Sequence, residues 1–160
     1  MPESSSGPLG RIAGIDFGTV RIGVAISDAS GSIASPLETY LRRDEAQDRR
    51  WFQKLVADEH IARFVVGLPV HLDGRESKKS TEARAFGQWL AEVSGLPVEY
   101  FDERFTTHEA QVFLSDSGLS KKKRQARLDK LAAQIMLTAY LEKRRENPDA
   151  ADEPLRGLDE

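Results

Sequence analysis

The sequence has no cysteine among its 160 residues. That excludes a disulfide framework, a thiolate metal site and a cysteine nucleophile, and a reducing cytoplasm is the natural reading. Histidine is scarce: His60, His71 and His108 are scattered singly, which suits surface or capping roles better than metal ligation. No apolar run approaches the roughly 20 residues needed to cross a bilayer, so no membrane partner is expected. The start, MPESSSGPLG, lacks a basic stretch followed by an apolar one and reads as a flexible leader over residues 1–10 rather than a secretory signal. Excess charge is missing too. The net charge is only -3, so the molecule as a whole is no electropositive surface for nucleic acid.

The distribution of charge says more than its sum. Residues 121–130, KKKRQARLDK, hold six basic side chains and one acid, Asp129, whereas the last fifteen residues hold six acids and one arginine. The first run could be a local basic patch or a solvated helix face. Residues 147–160 read as a disordered acidic tail.

Between these ends the pattern is that of one α/β domain over residues 11–146. RIAGIDF, RIGVAISD and SIASPLETYL are short apolar stretches broken by turn residues, expected to form three antiparallel strands. Asp44 to Glu59 carries Trp51, Phe52, Leu55 and Val56 at helical spacing. ARFVVGLP is a β-branched run and reads as a buried strand. The loop VHLDGRESKK leads into a helix with Ala83, Phe86, Leu90 and Val93 on one face and Gly95 as its stop. LPVEYFDE is the fifth strand, and Thr106 with Glu109 has capping-box spacing for another helix. The last helix is expected from about Lys122 to Arg145, its apolar face built by Leu128, Leu131, Ala132, Ile135, Met136 and Ala139. Trp51 and Trp89 fall on apolar helix faces and read as core. The expected sheet is five-stranded and mixed, three antiparallel strands followed by two parallel ones, with helices on both faces.

Three acids stand where chemistry collects. Asp16 closes the run RIAGIDF, and Asp102-Glu103 close VEYF, at strand ends where open α/β sheets gather ligands. A carboxylate in an apolar strand is costly to bury unless it is paired or binds a cation. Asp129 follows the basic run near the start of the last helix. If these groups converge, their repulsion calls for a cation, and oxygen donors select a hard one, Mg²⁺ or Mn²⁺. A pair of such ions activates water and stabilises both oxygens of a phosphodiester displacement. Salt bridging explains Asp129 equally simply, and a cap or turn role explains Asp102. Strand alternation sends Asp102 and Glu103 to opposite faces without saying which joins the site. Arg21 could reach a phosphate, or pair with Asp16 or Asp28. Arg104 is a candidate substrate contact, and Lys121, Lys122, Lys123, Arg124 and Arg127 are candidates for holding backbone phosphates.

The segments IDFGTVRIGVAISD, VVGLPVHLDG, VEYFDERFTTHEA and RLDKLAAQIMLTAYLE together resemble the YqgF or RuvX-like family, which groups pre-16S rRNA nucleases and Holliday-junction resolvase homologues. They occur in the family's order and span residues 11–145. The resemblance implies an RNase H-like fold. It also implies an acidic metal site made of Asp16, Glu103 and Asp129, so it favours Glu103 over Asp102. Phe105 stands where the family usually has leucine, and RESKKS is more basic than the family's usual loop. The implied activity is metal-dependent cleavage of structured nucleic acid, foremost the 5′ end of pre-16S rRNA in ribosome biogenesis. Branched DNA is the alternative substrate, and a non-catalytic RNA-binding assembly factor is the reading from another class. An actin-like ATPase or sugar kinase also opens on D-x-G-T, but needs two such domains, and this chain has room for one. The implied partners are pre-rRNA or branched DNA and ribosomal particles, with the chain as a monomer or weak homodimer.

Overall fold

The computed structural model describes residues 10–71, 73–105 and 121–146. The expected leader and acidic tail lie outside them, as do Thr106, His108 and Glu109, apart from Gly10 at the leader's end. Five strands form one sheet: β1 (Arg11–Asp16), β2 (Arg21–Ser27), β3 (Ala34–Leu41), β4 (Ile61–Leu68) and β5 (Val98–Asp102). Their spatial order is β3-β2-β1-β4-β5. The β1–β2 and β2–β3 pairs are antiparallel; β1–β4 and β4–β5 are parallel. This is the mixed sheet the apolar spacing predicts. The two parallel connections run through helices, as parallel pairing requires.

Helix α1 (Glu45–Glu59) starts at Asp44, whose carboxylate accepts the Gln47 N–H, and ends at His60 in the left-handed region, φ 55°. Helix α2 (Lys78–Ser94) begins two residues inside the stretch expected to be loop. Ser77 and Ser80 close a reciprocal capping box there, a hydroxyl filling the place usually held by a Glu or Gln. Gly95 ends α2 with φ 72°, where a side chain would be strained. Helix α3 (Lys121–Glu146) is within a residue of the expected span at each end.

The helices divide the core in two. On one face α1 and α2 cover Ala13, Ile15, Phe64, Val66 and Leu68, joined by Phe52, Phe86 and Leu90. On the other, α3 covers Ile12, Ala25, Val65 and Phe101. The buried stripe of α3 is Ala133, Met136, Leu137, Tyr140 and Leu141. Of the expected stripe only Met136 is fully buried; Leu128, Leu131, Ala132, Ile135 and Ala139 are half-buried. The helix is rotated because α3 packs down onto Gly14, where an added Cβ would sit 2.9 Å from the Leu137 Cβ. Small sheet residues select the side of the helix that comes closest. Trp51 and Trp89 are likewise half-buried rather than core: Trp51 stacks on Tyr40 at 4.4 Å, and the Trp89 indole N–H donates to Glu45. Among the described residues no helix is long and apolar enough to cross a membrane.

Candidate active site

Alternation along β1 places Ile12, Gly14 and Asp16 on the α3 face, with Ala13 and Ile15 on the other. Asp16 sits at the last β1 position, paired with Gly23 of β2. An added Cβ at Gly23 would meet the Asp129 carbonyl oxygen at 2.0 Å. Glycine there lets the backbone of α3 lie against the sheet, and this close approach brings Asp129 beside Asp16. On the neighbouring strand an added Cβ at Gly67 would meet a Glu103 carboxylate oxygen at 2.4 Å. Glu103 therefore lies over β4 on the same face. Two glycines make room for two of the three acids.

Asp102 does something else. Only 3% exposed, its carboxylate accepts the Arg104 backbone N–H at 2.9 Å and the Arg104 guanidinium Nε–H at 2.8 Å. The strand ends between the two acids, and Glu103 opens a short 3-10 turn, Glu103–Phe105, locked by this Asp102–Arg104 clasp. Of the two acids, Glu103 is the one whose charge reaches Asp16, while Asp102 is spent on the turn. Arg104, expected to touch substrate, is engaged by Asp102.

The electrostatics of the cluster are those of like charges in a poorly hydrated place. Burial, with the charges of Glu103 and Asp129 adding to it, pushes Asp16 up to about 8. Glu103 is also raised, by burial and then by Asp102. One cation opposes both shifts: Lys79, in the first turn of α2. It belongs to the basic RESKKS stretch but was not among the expected site residues; only the fold brings the start of α2 to the sheet's acidic end. Asp129, 17% exposed, is held by the Arg21 Nε–H at 2.8 Å and by the Gln125 amide at 2.9 Å. Arg21 thus pairs with neither Asp16 nor Asp28. Asp28 is satisfied locally by the N–H groups of Ser32 and Ile33.

Among the described residues no three acidic or histidine side chains are gathered tightly enough to grip a metal ion as they stand. The donor set nonetheless fits a hard cation. It consists of carboxylate oxygens alone, and Asp16 and Glu103 are both held away from their ionised form by burial and by neighbouring negative charge, which a cation would relieve.

Of the expected phosphate-holding residues, Lys123 and Arg127 line an open groove of about 420 Å³ between α3 and β3, together with Lys130, Thr39 and Glu38. The Thr39 hydroxyl donates to the Ala126 carbonyl and ties the groove's two walls together. Arg124 is half-buried and lies outside the groove. Lys121 and Lys122 occupy the first turn of α3, their side chains outside the described residues. Lys130 completes the i, i+4, i+7 row with Lys123 and Arg127 and could have been read from that spacing.

A five-stranded sheet with acids at the ends of β1 and β5 and on the helix crossing them now has a family to be compared with. The profile of the RuvX family, described as Holliday junction resolvase, matches residues 10–143. The chain belongs to this family. A relative from Rhodopirellula baltica named "Putative pre-16S rRNA nuclease" is 48% identical over 133 residues, covering 83% of this chain and 77% of that one. A relative from Koribacter versatilis with the same name is 43% identical over 142 residues, 87% and 93% of the two chains. Among solved structures, T. thermophilus RuvC in complex with a Holliday junction substrate superposes with TM-score 0.53 at 15% identity, covering 86% of this chain and 96% of that one. This last likeness bears on the fold alone, which is RuvC-like and hence RNase H-like. The RuvX match and the named relatives place this chain in a family of nucleases.

Proposed function

We propose that this protein hydrolyses phosphodiester bonds in structured RNA, foremost at the 5′ end of pre-16S rRNA, with Mg²⁺ or Mn²⁺ held by Asp16, Glu103 and Asp129. The observation that carries the reading is the burial of Asp16 beside Glu103 and Asp129, whose charges add to that burial and push it up to about 8. Burying like charges together without a partner is destabilising, and such sites are found where function requires them. Asp16, Glu103 and Asp129 would hold the ions, a pair in this reading, which would supply an activated water and charge neutralisation at the phosphate. The chain's own residues do the rest. Asp16 would present its carboxylate to a cation in the ionised form, without the proton that burial favours. Glu103, fixed by the turn after β5, presents its oxygens over Gly67. Arg21 and Gln125 hold the Asp129 carboxylate in place, from where it would join the donor set. Lys123, Arg127 and Lys130 hold backbone phosphates leading away from the scissile bond. Lys79 tempers the negative field at the mouth of the site.

RNA is favoured by the names of the relatives, and the cytoplasm and ribosomal particles follow as location and partner. Branched DNA is the second reading, favoured by the family's description as Holliday junction resolvase. Cutting a junction symmetrically asks for a two-fold dimer, whereas trimming one RNA end is work for a monomer or weak homodimer.

The test is a matched set of precursor 16S rRNA, unstructured RNA and four-way DNA junctions, incubated with Mn²⁺ or Mg²⁺. Precursor rRNA is expected to be cut fastest by the wild type, and Asp16→Asn and Glu103→Gln are each expected to lose at least about 10³-fold in rate, as when a member of a catalytic unit is removed. Cleavage unchanged in both variants refutes the three-acid site. Preferred cutting of junctions moves the substrate to DNA and leaves the site intact.

A further inference from the structure

Directly after Asp16, alternation turns Phe17 to the opposite face of the sheet, where it packs on the α1/α2 core. There a cleft of about 420 Å³ opens between the β1–β2 turn, the start of α1 and the outer side of α2. Its floor is a stack: Phe17 and Phe86 lie with ring centres 4.9 Å apart, and the Arg42 guanidinium sits 5.2 Å from the Phe17 ring and 5.8 Å from the Phe86 ring. Arg42 is held there by buried Asp48 at 3.6 Å. Trp89 forms a wall, its indole pinned by the hydrogen bond to Glu45 at 3.0 Å. Arg43 and Glu82 stand at the rim, and among the described residues neither has an ion-pair partner.

The contents of this cleft select a class of ligand. A bare phosphate is disfavoured, because three carboxylates line the walls. An aliphatic chain is disfavoured by the two guanidinium groups. A flat ring with a polar edge suits both: its face stacks on guanidinium and indole planes, and its edge meets a free carboxylate and a free guanidinium. Unpaired nucleobases are recognised by such stacking and edge contacts, and the volume is in the range of small-ligand clefts. Position agrees, since Phe17 and Thr19 of the lining follow Asp16 in the chain within three residues.

We propose that the cleft receives one unpaired base of the same strand whose backbone lies at the carboxylates, with an exocyclic amino group turned to Glu82. The cleft thereby sets where along a strand the cut falls. This rests on nucleic acid being the substrate.

The experiment measures binding of single-stranded RNA by fluorescence anisotropy, using Glu103→Gln as a full-length background that does not cut. An abasic residue is moved through the strand one position at a time. One position is expected to weaken binding by about 5- to 100-fold, the span that base stacking on aromatic side chains gives. In the same background Arg43→Ala, at an exposed position, and Glu82→Gln, at a half-buried one, are expected to weaken binding of the intact strand but to add nothing for the strand abasic at that position. Arg50→Ala, exposed on α1 outside the cleft, is the charge control and is expected to change neither. A flat abasic profile overturns the proposal, as does an Arg43→Ala loss that is equal on intact and abasic strands. Free nucleoside monophosphates competing as well as the strand would make the cleft a nucleotide site, which also overturns it. A folded protein that binds no strand at all would refute the nucleic-acid reading itself, a result distinct from each of these.

Discussion

On the α3 face of the sheet, each strand carries a glycine near the acidic end: β1 runs Ile12, Gly14, Asp16, and β4 runs Val65, Gly67. On the α1/α2 face the same strands carry Ala13, Ile15, Phe64, Val66 and Leu68, filled in by Phe52 and Phe86. The second face is built by bulk, with Phe52 touching Tyr40, Phe64, Phe86, Trp51 and Trp89 in edge-on contacts. The first is built by close backbone approach, so that α3 can carry Asp129 to the sheet. Aromatic packing and the close backbone approach that carries Asp129 are thereby weighted to opposite sides of one sheet.

The division can be broken from either side. Phe52→Ala empties the aromatic core and is expected to cost about 3–5 kcal/mol of stability, read by denaturant unfolding, while Mn²⁺ binding per folded molecule at low temperature changes little. Gly23→Ala is the opposite case. Its Cβ collides with the Asp129 backbone, which cannot swing aside, so about 1–3 kcal/mol is lost to overpacking and cleavage falls with it. If Gly23→Ala keeps full activity, the close approach of α3 is not what builds the site.

A third prediction uses pH. Asp16 titrates near 8 in the folded chain against an ordinary 3.8, so between those values the folded state holds more protons than the unfolded one. Metal-free protein should therefore lose stability as pH rises from about 4 to about 8, by at most about 1.4 kcal/mol per pH unit. Asp16→Asn should flatten that slope, and thermal melts across the range would show it. The smallest effect expected is in the basic groove. Charge reversal at Lys123, Arg127 or Lys130 should weaken nucleic-acid binding and lower its salt slope by about one for each phosphate left without its cation. An unchanged slope would make the groove a solvated surface only.

Most of this fold is legible in one dimension. The period-two runs of β1 and β2, the β-branched run of β4 and the punctuation at Asp44 and Gly95 are local signals, and the elements follow them. What was not legible depends on distance along the chain. Which stripe of α3 is buried is decided by glycines more than a hundred residues away, and the Arg21–Asp129 pair spans 108 residues. Asp16 and Glu103 stood out as acids at strand ends. Only the family resemblance favours Glu103 over Asp102, and the clasp that engages Asp102 with Arg104 shows only in three dimensions. Lys79 and the Arg42–Phe17 stack were invisible for the same reason: each joins segments whose sequences are ordinary alone.

At the functional end of the sheet, three acids form a proposed cation site whose repulsion the bound ion relieves. Calorimetric titration of Mn²⁺ into the wild type at pH 7, repeated in buffers of different ionisation enthalpy, tests this without reference to substrate. Since Asp16 is largely protonated at that pH, binding is predicted to release about one proton, and Asp16→Asn is predicted to abolish both the binding and the release. Binding that is undiminished in Asp16→Asn, or no binding by the folded wild type, would contradict it.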